Sequence, residues 1–385
     1  MKTTANCLLL LLLVIASTAT AQQPCSEPPP TSFTNWAQFH FDPCHTGFNP
    51  YEFILSPSTA GDLGLKWSYT TGGDVDSPPT VVNGVVYILS FDGNVYALNA
   101  LTGAKLWSHH TEVGSVSAPA VANGVVYVGT QDHKVYALNA STGALVWNYT
   151  TGGEVYSSPA VADGMVYISS YDHNIYALNA STGAKLWSYT TGSMTNSSPA
   201  VANGVVYVGS FDANVYALNA STGAYLWSYR TGGAVTSSPA VANGVVYVGS
   251  GYPDFNVYAL NASTGAKLWS YTTGGVVTSP AVANGVVYVG SLDNNVYALN
   301  ASTGAYLWSY TTGDSLQASP AVANGVVYVG SPDHKVYALN ASTGAYLWSY
   351  TTGGIVYDSS PAVANGVVYV GSWDYKMYAF GLPSH

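Results

Sequence analysis

The chain has 385 residues, of which 48% are hydrophobic and only 7% charged, with a net charge of −10 and nine Lys and Arg in total. An apolar fraction of that size allows a large core, and the low charge is offset by Ser, Thr, Asn and Tyr. A single arginine, Arg230, and so few cations exclude a surface that tracks phosphates, so nucleic acid is not an expected partner.

The first 21 residues read as a signal peptide. Lys2 supplies the positive start, Leu8 to Ala16 the apolar run, and Ala19-Thr20-Ala21 the small-residue cleavage site. The run is short for a bilayer span and no later stretch is a better candidate, so export without a transmembrane segment is expected. Cys25 follows Gln22-Gln23-Pro24 rather than small residues, which argues against a lipid anchor at that cysteine. Removal of the leader takes Cys7 and leaves Cys25 and Cys44, a chemically reasonable disulfide in an oxidising compartment. It would close a loop of about 20 residues and contribute on the order of 3 kcal/mol.

Residues 22–62 form a lead-in, and residues 63–385 are periodic. Tryptophans stand at 67, 107, 147, 187, 227, 269, 308 and 348, and prolines keep step at 79, 119, 159, 199, 239, 280, 320 and 361. One unit, residues 197–231, reads as four strands. The first is Ser198–Ala202, ended by the hairpin signal Asn203-Gly204. Val205–Gly209 and Asn214–Asn219 follow, joined by a turn around Asp212. The turn Ala220-Ser221-Thr222-Gly223 leads into Tyr225–Arg230, with Gly where a positive φ is required. Four strands in about 40 residues make a propeller blade. Each sheet has two apolar faces, which only radial stacking hides, and this accounts for the unbroken Val-Val-Tyr-Val runs. The fold expected is all-β, an eight-bladed propeller of four-stranded antiparallel blades. The strand Leu63–Thr71 precedes the first complete unit, and the last unit stops at Ala379-Phe380 without a tryptophan strand, so the N-terminal strand should complete the last blade.

The segment Ala97-Leu98-Asn99-Ala100-Leu101-Thr102-Gly103-Ala104-Lys105-Leu106-Trp107 resembles the Ala-x-Asp-x-x-Thr-Gly-x-x-x-Trp signature of pyrroloquinoline-quinone-like propeller repeats. Seven complete copies occur and the eighth is split between Ala379 and Trp67. Asn replaces the signature Asp at 99, 139, 179, 219, 261, 300 and 340, and makes the same side-chain turn bond. The segment from Trp36-Ala37-Gln38-Phe39 through Asp42 and His45-Thr46-Gly47 is similar to the lead-in of secreted members, which implies a cap or plug on the ring. The resemblance implies either of two functions. Some members are quinone-dependent alcohol or sugar dehydrogenases that hold the quinone and Ca²⁺ at the channel mouth with Glu, Asn, Asp and Arg, many with adjacent cysteines. Others bind no quinone, such as the lipoprotein that helps assemble outer-membrane barrels. None of the dehydrogenase positions has a matching local motif here, no two cysteines are adjacent, and Arg230 ends an outer strand. The expectation is an exported, monomeric binding or scaffold module with no cofactor, secreted or in the periplasm or cell envelope. The alternatives are a quinone-dependent dehydrogenase with quinone and Ca²⁺, or a structural envelope component.

Turns between first and second and between third and fourth strands share one face and are monotonous. The two–three turns and the blade-to-blade links share the other face and vary, so a partner-binding surface is expected there. Each two–three turn holds an Asp (92, 132, 172, 212, 254, 293, 333 and 374), expected as a turn-closing residue. Around them stand Phe91, Tyr171, Phe211, Tyr252, Phe255, Trp373 and Tyr375, candidates for a protein or glycan contact. Three residues before each repeated proline the row reads Asp76, Val116, Tyr156, Asn196, Thr236, Val277, Gln317 and Asp358, at the expected channel mouth. Ring closure brings Asp76 towards Asp358 with Gln317 alongside, two carboxylates and an amide that suit a hard cation such as Ca²⁺. No catalytic motif is present, and the scattered histidines read as solvated surface residues. Asn-x-Ser/Thr sequons recur at Asn139, Asn179, Asn219, Asn261, Asn300 and Asn340 as a by-product of the repeated turn.

Overall fold

The computed structural model describes residues 35–383. The expected signal peptide and Cys25 lie outside them. The described residues form eight sheets arranged as blades, each of four antiparallel strands, with Phe48–Asn49 of the lead-in added in parallel inside blade 7. In blade 4 the strands are Ala200–Ala202, Val205–Gly209, Asn214–Asn219 and Tyr225–Arg230, from the axis outwards. Only the innermost is shorter than the sequence implies, because Ser198 is drawn into a contact with the next blade. Blades 1 to 7 begin at Thr80, Ala120, Ala160, Ala200, Ala240, Ala281 and Ala321. Blade 8 comprises Ala362–Ala364, Val367–Ser372 and Lys376–Gly381, and its outermost strand is Gly64–Thr70 from the other end of the chain. The register Trp67↔Ala379 repeats that of Trp227↔Ala217, so the seam blade is built like the others.

Local chemistry sets each turn. Asn203 and Gly204 have φ of 50° and 74°, the doubly left-handed pair that a two-residue hairpin matching strand twist requires. The repeat signature is explained by contacts between blades. The Trp187 indole N–H donates to the carbonyl of Ala220 in the next blade at 2.8 Å. Its ring lies where a Cβ on Gly223 would fall, 2.7 Å away, and Gly223 has φ of 70°, so glycine serves both the turn and the packing. Across the seam, Trp348 donates to the Leu63 carbonyl and Trp67 to that of Ala100. The N-terminal strand thereby joins blades 7, 8 and 1.

Candidate functional site

One end of the channel is bridged by the lead-in, which engages the innermost strands in ring order and leaves a cavity of about 750 Å³ between Gln38, Tyr51 and blades 1 to 3. Trp36 exchanges two backbone bonds with Val81 of blade 1, and the Ala37 carbonyl accepts the N–H of Val121 in blade 2. The Gln38 side chain bonds both peptide groups of Val161 in blade 3. The carbonyls of Pro43, Cys44, Thr46 and Gly47 then accept the N–H groups of Val201, Val241, Val282 and Val322 in blades 4 to 7. The Asn49 amide donates to the Val363 carbonyl in blade 8 at 2.8 Å. The innermost edges would otherwise be unpaired strand edges facing the axis, and one continuous segment satisfies them at their middle valines. Cys44 in this segment is disulfide-bonded.

Two histidines of the plug correct the reading of the histidines as surface residues. His40 and His45 are fully buried on the axis around Phe39, His40 stacked on it at 4.2 Å and His45 edge-on at 5.3 Å. Burial lowers the imidazoles of both to about 3, and their proximity adds to the effect at His45. Asp42 is buried beside them and accepts the Thr46 backbone N–H and hydroxyl at 3.1 and 3.0 Å. Desolvation still raises its carboxyl to about 7. Sequence reasoning missed this burial because a histidine in a non-repeating segment carries no periodic signal.

The other end is open, a funnel of about 390 Å³ with Phe39 at its floor. Val116, Tyr156, Asn196, Thr236, Val277, Gln317 and Asp358, seven of the eight positions expected at the mouth, line it. Below them runs a ring of serines that the sequence reading passed over, although each stands immediately before a repeated proline. Ser158, Ser198, Ser238, Ser279, Ser319 and Ser360 each accept, on the hydroxyl oxygen, a backbone N–H from the preceding blade, at 2.9 to 3.2 Å. Pro78 and Ala118 hold the corresponding places in blades 1 and 2. At the seam, where the serine ring is broken, the Asp358 N–H donates instead to the Asp76 carboxylate.

Asp76 and Asp358 therefore meet as ring closure implies, and Gln317 shares the funnel with Asp358. Asp76 is buried and also accepts a bond from the Trp373 side chain. Among the described residues no donor reaches the Asp358 carboxylate, which is half-buried at the funnel wall. Burial raises both carboxyls, and each is further raised by a neighbouring carboxylate: Asp74 beside Asp76, and Asp76 beside Asp358. Among the described residues no cluster of three or more His, Cys, Asp or Glu side chains converges on one point.

Around the funnel, the two–three turn aspartates bind neighbouring segments together. Asp92 accepts the Asn94 N–H at 2.9 Å, the Tyr96 hydroxyl at 2.6 Å and, from the preceding link, the Gly72 N–H at 2.7 Å. Burial raises this carboxyl, but these donors outweigh it and hold it below the ordinary range; Asp293 behaves in the same way. The rim aromatics divide into two kinds. Phe91 (40% exposed), Tyr252 (77%), Trp373 (39%) and Tyr375 (49%) project into solvent. Tyr171, Phe211 and Phe255 are half-buried, with Tyr171 packed on Tyr156 at 4.6 Å and on Phe211 at 6.5 Å, and Phe255 near Tyr252 at 6.0 Å.

Comparison with known proteins agrees with this construction. The repeat family described as outer membrane protein assembly factor BamB matches residues 59–118, 111–234, 192–275, 212–317 and 296–382, which together span the whole ring. The chain belongs to that family. Among solved structures it is similar to BamB from Moraxella catarrhalis, with a TM-score of 0.72 and 22% identity over 84% of this chain and 98% of the other. It is similar also to quinohemoprotein alcohol dehydrogenase from Comamonas testosteroni, with a TM-score of 0.78 and 18% identity over 91% of this chain and 82% of the other. At these identities the likeness shows the fold alone. A curated 1-butanol dehydrogenase (cytochrome c) from Thauera butanivorans is 35% identical over 82 residues, and the match spans 12% of that protein's length.

Because the BamB-type repeat family shares its fold with quinone enzymes, the mouth has to be tested against the quinone itself. That cofactor carries several carboxylates, which need cations. Among the described residues no Lys, Arg or His lines the funnel, the one charged side chain lining it is the acidic Asp358, and Arg230 lies on an outermost strand. The residues present do not fit the quinone.

Proposed function

We propose that this chain is an exported, monomeric, non-catalytic propeller that binds a protein or glycan partner through its two–three turn face, in the periplasm or cell envelope or outside the cell. The observation that carries this reading is the polarity of the ring. One end is taken up by the chain's own lead-in, while the other presents variable loops and the exposed aromatics Phe91, Tyr252, Trp373 and Tyr375. Four of the eight exposed aromatics among the described residues stand on this rim, and aromatic side chains are enriched at contact surfaces. The match to the BamB family over the whole ring supports the same reading. No helix among the described residues is long and apolar enough to cross a membrane.

The test is a pull-down from host envelope extract, comparing the wild type with Phe91→Ala and Tyr252→Ala. Loss of the same bound species in both variants, with melting temperature essentially unchanged, supports the assignment. Undiminished capture by both variants overturns it.

A second reading, a quinone-dependent alcohol or sugar dehydrogenase using Ca²⁺, draws on the stretch shared with 1-butanol dehydrogenase. It stands against the absence of any cation in the funnel lining.

A further inference from the structure

The funnel contains acceptors without donors. Carboxylates buried in proteins are ordinarily paired with a cation or with several hydrogen-bond donors. Asp358 has neither among the described residues, and its nearest charged neighbour is another carboxylate, Asp76. In the same lining the Oδ1 of Asn196 is buried and meets no donor. These are two independent positions, on blades 4 and 8, and both lack a donor. Among the serines, Thr236 and Gln317 of the wall stand the apolar Val116, Val276 and Leu316 and the Tyr156–Tyr171 pair, over the Phe39 floor.

We propose that this funnel binds a protonated primary amine carried on an aliphatic stem, with Asp358 as its counter-ion. The ammonium supplies the hydrogen-bond donors that Asp358 lacks, and tyrosine faces attract a cation. The Val116, Val276 and Leu316 side chains accommodate the methylene stem. A hard divalent ion fits this set less well. Such ions take six to eight oxygens, whereas the Asp76 carboxylate already accepts from Asp358 and Trp373. The proposal is independent of what the outer rim binds.

The titratable groups near the site are Asp76, Asp74 beside it, Tyr156 with Glu154, and Tyr171. A cation binds the ionised form of the Asp76–Asp358 pair, so binding tightens as that pair loses its shared proton.

The experiment is calorimetric titration of the full protein with n-butylammonium chloride, n-butanol and calcium chloride in parallel. The ammonium should bind saturably, at least about tenfold more tightly than the isosteric alcohol, because only the cation meets the carboxylate. Its affinity should rise between about pH 6 and about pH 8.5 and fall at least about tenfold in Asp358→Asn. A blocked lysine run alongside identifies the source. If it binds more tightly than n-butylammonium the occupant is a lysyl side chain of a polypeptide, and the reverse order indicates a small free amine; either order supports the site. Equal binding of butanol, undiminished binding by Asp358→Asn, or displacement of the ammonium by calcium overturns the proposal. The wild-type comparison of ammonium with alcohol requires no variant to fold.

Discussion

The Asp358 backbone N–H donates to a carboxylate oxygen of Asp76 at 2.8 Å, joining residues 282 positions apart at the point where the ring closes. From blade 2 round to blade 8 each joint is a neutral serine hydroxyl, in blades 3 to 8, accepting an N–H from the preceding blade. The seam alone uses a carboxylate, and it places a second carboxylate next to the first.

That arrangement makes the seam sensitive to pH. Both folded-state carboxyls are raised above their unfolded values by burial and by a neighbouring carboxylate. Such a group favours the folded state fully below its unfolded range and loses that contribution as pH rises through its folded value. Asp358→Asn keeps the shape and removes the ionisation. Relative to wild type, its melting temperature should therefore rise progressively from about pH 4 to about pH 8. A constant difference across a pH series would show that the pair is not strained.

The plug should respond in the opposite sense. His40 and His45 are held near 3 in the folded protein against an ordinary 6.5. Their neutral forms favour folding fully above 6.5, and this contribution is lost as pH falls towards 3. His45→Asn suits the positive φ of 55° at that position and does not titrate. Wild type should lose stability relative to His45→Asn as pH falls from 6.5, by up to about 1.4 kcal/mol per pH unit. Thermal melts from neutral to acid pH measure the difference.

The turn aspartates predict a stability cost away from any binding role. Asp293 accepts the Tyr297 hydroxyl at 2.7 Å, the Gly274 N–H at 2.6 Å and the Asn295 N–H at 3.1 Å. Asp293→Ala removes all three and should cost about 1–3 kcal/mol in denaturant unfolding. A cost within a few tenths of 1 kcal/mol would mean that solvent replaces the carboxylate there.

Closure has its own test. Deleting residues up to Thr70 removes the plug and the strand that pairs with Lys376–Gly381. The last blade is then left with an unpaired apolar edge. The shortened chain should self-associate in a concentration-dependent manner in sedimentation. A monodisperse monomer would contradict the closure described here.

Much of the ring was legible in the sequence because repetition multiplies weak signals. Val205–Gly209, Asn214–Asn219 and Tyr225–Arg230 are strands with the bounds the residues imply, since Asn-Gly, Asp and Thr-Gly turns fix both ends. The meeting of Asp76 and Asp358 followed from closure alone. The plug's bonding was not legible, because Ala37, Pro43, Cys44, Thr46 and Gly47 act through backbone carbonyls that no side-chain pattern reports. His40 and His45 were misread for the same reason: their burial is decided by eight blades distant in sequence.

The measurement that bears most directly on the functional account is melting of the purified protein with excess pyrroloquinoline quinone and Ca²⁺, coupled to dye reduction with alcohols and sugars. A funnel without cations predicts no saturable stabilisation and no reduction. A ligand at a hundred times its dissociation constant would stabilise by about 2.7 kcal/mol, and a shift of that size accompanied by turnover would contradict the account.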